Sequence, residues 1–263
     1  MRAFVHHPEQ AHGVRDLGAL DVLVGDLRDQ TAVRQAVRGV RGVYHICPNV
    51  SPDEVAIGEL LIDTAKSAGV EHFVFHSVLR PQIEAMPHHW GKLRVEERLF
   101  ESGLNFTILQ PTTYMQNVLA SWDQIMQQGI YEVPYAVDTR LSMVDLEDIA
   151  KVAALVLTQG GYTSAIYELV GVESISPAEA AATLSRCLNH PVRAESVRLD
   201  IWENRARAAG LGKEQVAMLV KMFRYYDLYG FRGNSRVLNC LLGRPPTHFD
   251  TFIERRMADD HRI

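Results

Sequence analysis

Residues 69–117 read GVEHFVFHSVLRPQIEAMPHHWGKLRVEERLFESGLNFTILQPTTYMQN, and this stretch decides how the whole chain is read. Glu71 to His76 carries Phe73, Val74 and Phe75 without alternation, the pattern of a strand covered on both faces in a parallel sheet. The strand opens at Ser77. Pro87 suits the first turn of a helix, where its missing N–H has no partner to lose. From Trp90 on, Leu93, Val95, Leu99 and Phe100 interleave with Lys92, Glu96 and Glu97 at a helical period. A helix reaching back to His88 puts His88 and Lys92 four residues apart on one face, with Lys92 bordering the apolar stripe. Gly103 supplies a left-handed stop, and Asn105 to Leu109 resumes as a strand. A strand, crossover helix and strand of this kind is right-handed and parallel in nearly all known cases.

The alternation continues on both sides. Strands are expected at Arg2–His6, Asp21–Gly25 and Gly42–Ile46, with helices near His12–Leu17, over Thr31–Arg38 and over Pro52–Ala68. That order predicts an α/β fold with a doubly wound parallel sheet. Past Asn117, Leu119 to Gln128 continues a helix, and Gly129 to Asp138, with Pro134, reads as a loop. Leu141 to Val144 is a short strand that leads to Asp145, an N-cap for the helix Leu146–Leu157, which Gly160 and Gly161 end. Ala165 to Val170 reads as a further strand. Ser176, Pro177 and Glu179 open another helix in capping-box fashion, ending near Asn189, and Pro191 to Arg198 is an edge strand. From Asp200 the chain is mostly helical, with a last helix holding Phe249, Phe252 and Ile253. The division expected is a larger domain over 1–170 and a smaller, mostly helical lobe over 171–263.

Composition narrows the function classes. Apolar residues at 47% and charged residues at 22% fit a soluble globular protein, and a net charge of −5 gives no electrostatic reason to seek nucleic acid or an anionic membrane. No run approaches the roughly 20 apolar residues of a membrane span, and MRAFVHHPEQ lacks the apolar core of a secretory signal. Three cysteines, Cys47, Cys187 and Cys240, are too scattered for a disulfide frame or a zinc site, which fits a reducing cytoplasm. Among eleven histidines, His72 and His76 are four apart but on a strand, and His88 and His89 are adjacent, so no metal is expected. Phe223, Tyr225, Tyr226, Tyr229 and Phe231 lie among Lys221, Arg224 and Arg232, a mixture that can stack on bases. Val216, Leu219, Val220 and Phe223, however, follow the spacing of a buried helix side, so this aromatic group is expected to wall a substrate or partner cleft.

The pieces VYHICPN at 43–49, HSV at 76–78, HHWGKLRVEE at 88–97, SGLNFTILQPTTYMQN at 102–117 and LSMVDLEDIAKVAALVL at 141–157 occur in a telling order. With them the chain resembles the NmrA-like family of atypical short-chain dehydrogenases over nearly its whole length, and also the isoflavone-reductase-like enzymes. The resemblance implies a Rossmann-like domain over 1–170 that binds NADP or NAD, and a substrate or partner lobe after it. One family piece is absent: the central strand, glycine-rich GxxGxxG turn and helix that precede the segment resembling Arg2 to Pro8. No GxGxxG or GxxGxxG occurs in the chain. In the family that turn presents backbone N–H groups to the cofactor pyrophosphate, and such a unit takes about 30 residues. Either Met1 is internal to a longer chain, or this is a short form that closes its sheet differently. The first is preferred, because omitting a central strand exposes two apolar strand edges.

The resemblance also assigns roles. Ser77, His88 and Lys92 stand where short-chain dehydrogenases carry Ser, Tyr and Lys, the tyrosine as acid or base and the lysine on the ribose hydroxyls. His88 replaces the tyrosine; an imidazole can exchange a proton near neutrality but is no phenol, which weighs against reduction of a plain ketone. Read locally, Lys92 is a surface lysine paired with Glu96, His88 a solvated loop histidine and Ser77 a turn cap; for Lys92 the ribose role is preferred. His6, beside His7, follows the first strand where NADP-preferring relatives place an arginine, which leaves NAD against NADP open. Asp26 and Leu27 resemble adenine-edge contacts, with capping of the following helix the competing role for Asp26, and Cys47, Pro48 and Asn49 line the cofactor crevice. Cys47 is not expected as a nucleophile. Thr113, Tyr114, Met115 and Gln116 match the loop beside the nicotinamide, where Tyr114 is the available phenol, with aromatic packing its competing role. The function implied is an NAD(P)H-dependent oxidoreductase acting on a small conjugated or quinone-like acceptor. The alternatives are a non-catalytic redox sensor that binds NAD(P) and a regulatory protein partner, or a shortened form with impaired cofactor binding.

Overall fold

Strand and helix alternate from the first residues of the structure, a computed structural model that describes residues 1–260. β1 (Arg2–Val5), α1 (Gln10–Asp16) and β2 (Asp21–Val24) form a parallel unit. α2 (Gln30–Val37), β3 (Gly42–His45), α3 (Glu54–Ser67), β4 (His72–His76), α4 (Pro87–Glu101) and β5 (Phe106–Pro111) follow. Then come β6 (Thr113–Tyr114), a 3₁₀ helix (Met115–Ser121), α5 (Trp122–Gln128), β7 (Ile130–Val133), β8 (Leu141–Val144), α6 (Leu146–Thr158) and β9 (Ala165–Leu169). β10 (Ser174–Ile175), α7 (Pro177–Leu188), β11 (Arg193–Ser196), α8 (Leu199–Ala208), α9 (Lys213–Tyr229), α10 (Arg236–Leu242) and α11 (Phe249–Asp260) complete the described chain.

The parallel sheet is in two pieces. β1 pairs with β2, and a separate four-stranded sheet runs β3-β4-β5-β9. Among the described strands β1 bonds only to β2 and β3 only to β4. Accordingly β1 is half-buried along its length, whereas β4 and β5 are buried from their second residue on. The unbroken apolar run in β4 is explained by its two covers. Phe73 and Phe75 face Leu61, Ile62 and Ala65 of α3 and Val95 and Leu99 of α4, while Val74 faces Ile149, Val152 and Val156 of α6. α3 and α4 approach so closely that a Cβ on Gly58 would sit 2.6 Å from Val95 Cγ2.

A further core gathers strands from both sides of residue 170. β10 pairs with β8 and β11 with β7, around a core of Met115, Trp122, Ile125, Leu184, Phe249 and Ile253. Residues 129–138, expected as a loop, contain β7: Ile130 to Val133 alternates half-buried and buried residues, and its partner β11 lies some sixty residues on. The aromatic group divides. Tyr226 and Phe231 are buried, their rings stacked 5.2 Å apart, in a cluster with Leu79, Met86, Leu141 and Val170, and so fill a core, whereas Tyr229 is exposed. Among the described residues no helix is long and apolar enough to cross a membrane.

Candidate active site

A cavity of about 1080 Å³ opens at the carboxyl ends of β1 to β4, the edge at which open α/β sheets receive ligands. Val5 and His6, Gly25 to Arg28, and Ile46 to Asn49 form its sheet side; His76, Lys92 and Tyr114 form its inner wall; and Gly212 to Gln215, where α9 begins, face them.

Lys92 is a largely enclosed cation there, its side chain 15% exposed against 62% for Arg28. Its Nζ donates to Glu54 Oε1 at 3.0 Å and to the His76 carbonyl at 3.2 Å, and it rides 5.3 Å from the centre of the Phe75 ring. Its ion-pair partner is therefore Glu54 on α3, not the Glu96 that sequence spacing offered. Glu96 is itself buried, accepting from the Ser77 hydroxyl and from Gln110 Nε2 at 2.9 and 3.1 Å. Burial raises its pKa against those two hydrogen bonds. Ser77 is thus buried, with its hydroxyl committed to a brace between β4, α4 and β5, and it does not line the cavity.

His88 sits in the first turn of α4, half-buried, edge-on to His89 at 4.5 Å, and off the cavity wall. Its Nδ1 is buried without a hydrogen-bond partner among the described residues, and burial, helped by Lys92, pushes its pKa down to about 4. It is therefore not the solvated loop histidine of the local reading. His76 occupies the wall instead. Its Nε2 lies 2.8 Å from the Tyr114 hydroxyl and its Nδ1 2.5 Å from the Tyr44 hydroxyl. Burial and Lys92 push His76 down to about 3, and burial pushes Tyr114 up to about 12.

The remaining expected residues divide. His6, Asp26, Leu27, Cys47, Pro48 and Asn49 line the cavity. Gln10 Oε1 accepts from the His6 backbone N–H at 3.1 Å, which fixes the turn after β1. Asp26 binds the Arg28 side chain and backbone, which hold its carboxyl well below the usual range, and Asp29, not Asp26, caps α2. Burial pushes the Cys47 thiol up to about 12, with Glu54 adding to the effect, so it is no thiolate nucleophile. Of residues 113–116, Tyr114 alone reaches the wall. Thr113 Oγ1 donates to the Ser142 carbonyl at 2.6 Å, Met115 is buried in the core with Trp122 and Phe249, and Gln116 Nε2 donates to Asp145 Oδ1 at 2.7 Å. Among the described residues no group of three His, Cys, Asp or Glu is placed to hold a metal ion.

The family model of the NmrA-like family matches residues 1–261. The chain belongs to the NmrA-like family. The NAD(P)H azoreductase of Xenophilus azovorans is 30% identical to it over 248 residues, 93% of this chain and 86% of that protein. Quinone oxidoreductase 2 of Escherichia coli (strain K12) is 24% identical over 245 residues, 93% of this chain and 85% of that protein. The crystal structure of the Escherichia coli NADPH-dependent quinone oxidoreductase QOR2 with NADPH shares the fold at a TM-score of 0.82 and 23% identity, covering 97% of this chain and 90% of that one. NmrA, a negative transcriptional regulator in complex with NADP, shares it at a TM-score of 0.76 and 18% identity, covering 98% and 88%.

Within this NmrA-like site, sequence reasoning missed Tyr44, Glu54, the role of His76 and the approach of α9. Tyr44 and Tyr114 stand 32 and 38 residues from His76. Only the strand register and the β6 turn bring them together, so no local pattern announces the group. The sole usable signal was a histidine ending a buried strand, at the sheet edge where ligands bind.

Proposed function

We propose that this NmrA-like chain is an NAD(P)H-dependent oxidoreductase that reduces a small conjugated or quinone-like acceptor. One observation carries the reading: a single cavity holds Lys92, fixed by Glu54 and the His76 carbonyl, on the same wall as the Tyr114 hydroxyl and beside Cys47 to Asn49. Relatives that reduce azo compounds and quinones support the acceptor class.

The residues present suit the nicotinamide end of the cofactor. The volume of about 1080 Å³ lies just above the roughly 300–1,000 Å³ usual for such sites, room enough for a dinucleotide. An ammonium has three donors; Glu54 and His76 take two of Lys92's, and the third is left for a ribose hydroxyl. His6, Asp26 and Leu27 frame the opposite end, suited to the adenosine. Among the cations lining the cavity, Lys92 is the one on the wall that carries His76 and Tyr114. The bound cofactor supplies a hydride. Tyr114, protonated at neutral pH, is the phenol on the wall able to donate a proton, and a quinone-like acceptor, which delocalises the incoming charge, asks little of that acid.

A nucleotide-binding sensor that acts through a protein partner is the second reading. It is favoured by His88, which stands in the sequence position of the dehydrogenase tyrosine yet lies off the cavity wall. NADPH binding followed by fluorescence, beside NADPH oxidation with a panel of quinones and azo dyes, decides between them. Binding with turnover of at least one acceptor is expected. Binding without turnover would favour the sensor, and no binding would exclude both.

A further inference from the structure

We propose that Tyr44, His76 and Tyr114 form a proton relay from solvent to the acceptor, an inference that rests on the oxidoreductase reading above. Strand geometry builds it. Tyr44 on β3 is in register with Val74 on β4, and His76, two residues further on, shares the Val74 face. β6 carries Tyr114 over the end of that strand. The imidazole lies between two phenols, 2.5 Å from one hydroxyl and 2.8 Å from the other. Both phenols are half-buried, and the two ends differ in what they line: Tyr114 lines the cavity, whereas Tyr44 does not.

A neutral imidazole has one N–H and one acceptor nitrogen, so either tautomer satisfies both phenols. In one, Tyr44 donates to Nδ1 and Nε2–H donates to the Tyr114 oxygen, which leaves the Tyr114 O–H for a ligand. As a quinone-like acceptor gains a hydride and becomes an anion, the Tyr114 proton passes to its oxygen, the Nε2 proton to Tyr114 and the Tyr44 proton to Nδ1. Water reprotonates Tyr44, and the hydroxide it becomes leaves to solvent. The sum is one hydride and one proton added to the acceptor, and every protein group ends neutral. The ring is left as the other tautomer, and once product leaves, His76, on the cavity wall, exchanges back through water. Burial keeps the chain uncharged at rest, His76 held down to about 3 and Tyr114 up to about 12, so protons move only when negative charge develops beside Tyr114.

Tyr44→Phe tests this in the full chain, since it removes one hydroxyl outside the cavity and keeps the ring. With NADPH and a quinone that the wild type reduces, kcat is expected to fall about 100-fold, the lower range for a lost general acid, with the Kd for NADPH unchanged. A proton inventory in mixed light and heavy water should be curved for wild type, reporting several protons in flight, and linear for the variant. Independently of turnover, ¹⁵N spectra should show His76 as a neutral ring at about pH 6, below the roughly 6.5 of a free imidazole. An imidazolium there would overturn the relay, as would a Tyr44→Phe enzyme with wild-type kcat and inventory. A wild type inactive on every acceptor would instead overturn the oxidoreductase reading, and the relay with it.

Discussion

Lys92 shows what one residue can and cannot disclose. Its place beside the apolar stripe of a helix was legible, because helical spacing is local. Its partner was not, because Glu54 is 38 residues away and wins over the neighbour four positions on. Both side chains are nearly buried, at 15% and 7% exposure, so the pair is not a surface ornament worth fractions of a kcal/mol. Lys92→Met keeps the stem over Phe75 and deletes the charge. It should weaken NADPH binding roughly 10- to 100-fold, the worth of a charge-assisted hydrogen bond of about 1.5–3 kcal/mol, and lower stability by about 3–5 kcal/mol because Glu54 is left buried and unpaired. Adding Glu54→Gln should recover most of the stability in urea titrations without recovering the binding. If the double variant bound NADPH like wild type, Lys92 would have no direct part in holding the cofactor.

At the scale of elements, α6 ties segments far apart in the chain to one another. Asp145 caps it by accepting from the Glu147 N–H at 3.2 Å, a role that a short motif declares in the sequence. The same carboxylate, fully buried, also takes Gln116 Nε2 at 2.7 Å and Arg255 Nη2 at 2.8 Å, the latter 110 residues downstream. Asp148, one turn on, binds Arg244 and accepts from the Thr247 N–H at 2.6 Å. Asp145→Ala should therefore cost more than the roughly 0.5–2 kcal/mol of a lost cap, approaching the about 3–5 kcal/mol of a broken buried pair. Asp145→Asn, which can still cap, should cost less; equal losses in chemical denaturation would show that the pair with Arg255, not the cap, carries the effect. The same division between local and distant information explains the rest of the fold. Unbroken apolar runs, caps and helical stripes announced β4, β5, α4, α6 and α7. β7 escaped because four residues between Gly129 and Pro134 become a strand only through β11, and the break between β1 and β3 is a fact of pairing that no single segment encodes.

For the molecule as a whole, buried histidines set the response to acid. Burial is the largest cause in each case, holding His45, His76 and His89 down to about 3 and His88 to about 4. In the unfolded chain the same rings titrate near roughly 6.5. Between those values the unfolded state binds more protons than the folded one, so stability is full above about pH 6.5 and falls as pH drops through the window. Each ring costs up to about 1.4 kcal/mol per pH unit, and four together roughly 5 kcal/mol per unit, against the whole 5–15 kcal/mol typical of a folded domain. Glu96 opposes them with the reverse sign, since its raised pKa makes the folded state take a proton before the unfolded one does, but it is one group against four. Unfolding between about pH 6 and 4 should follow, read by far-ultraviolet circular dichroism. His45 offers the cleanest control, because its ring stacks on Phe75 at 5.7 Å and its Nε2 has no hydrogen-bond partner among the described residues. His45→Phe removes one titrating ring while keeping an aromatic in the core, and should move the acid midpoint to lower pH. A chain whose circular dichroism is unchanged down to pH 4, or a midpoint indifferent to His45→Phe, would mean that these rings take up protons within the folded state, in surroundings better hydrated than their burial implies.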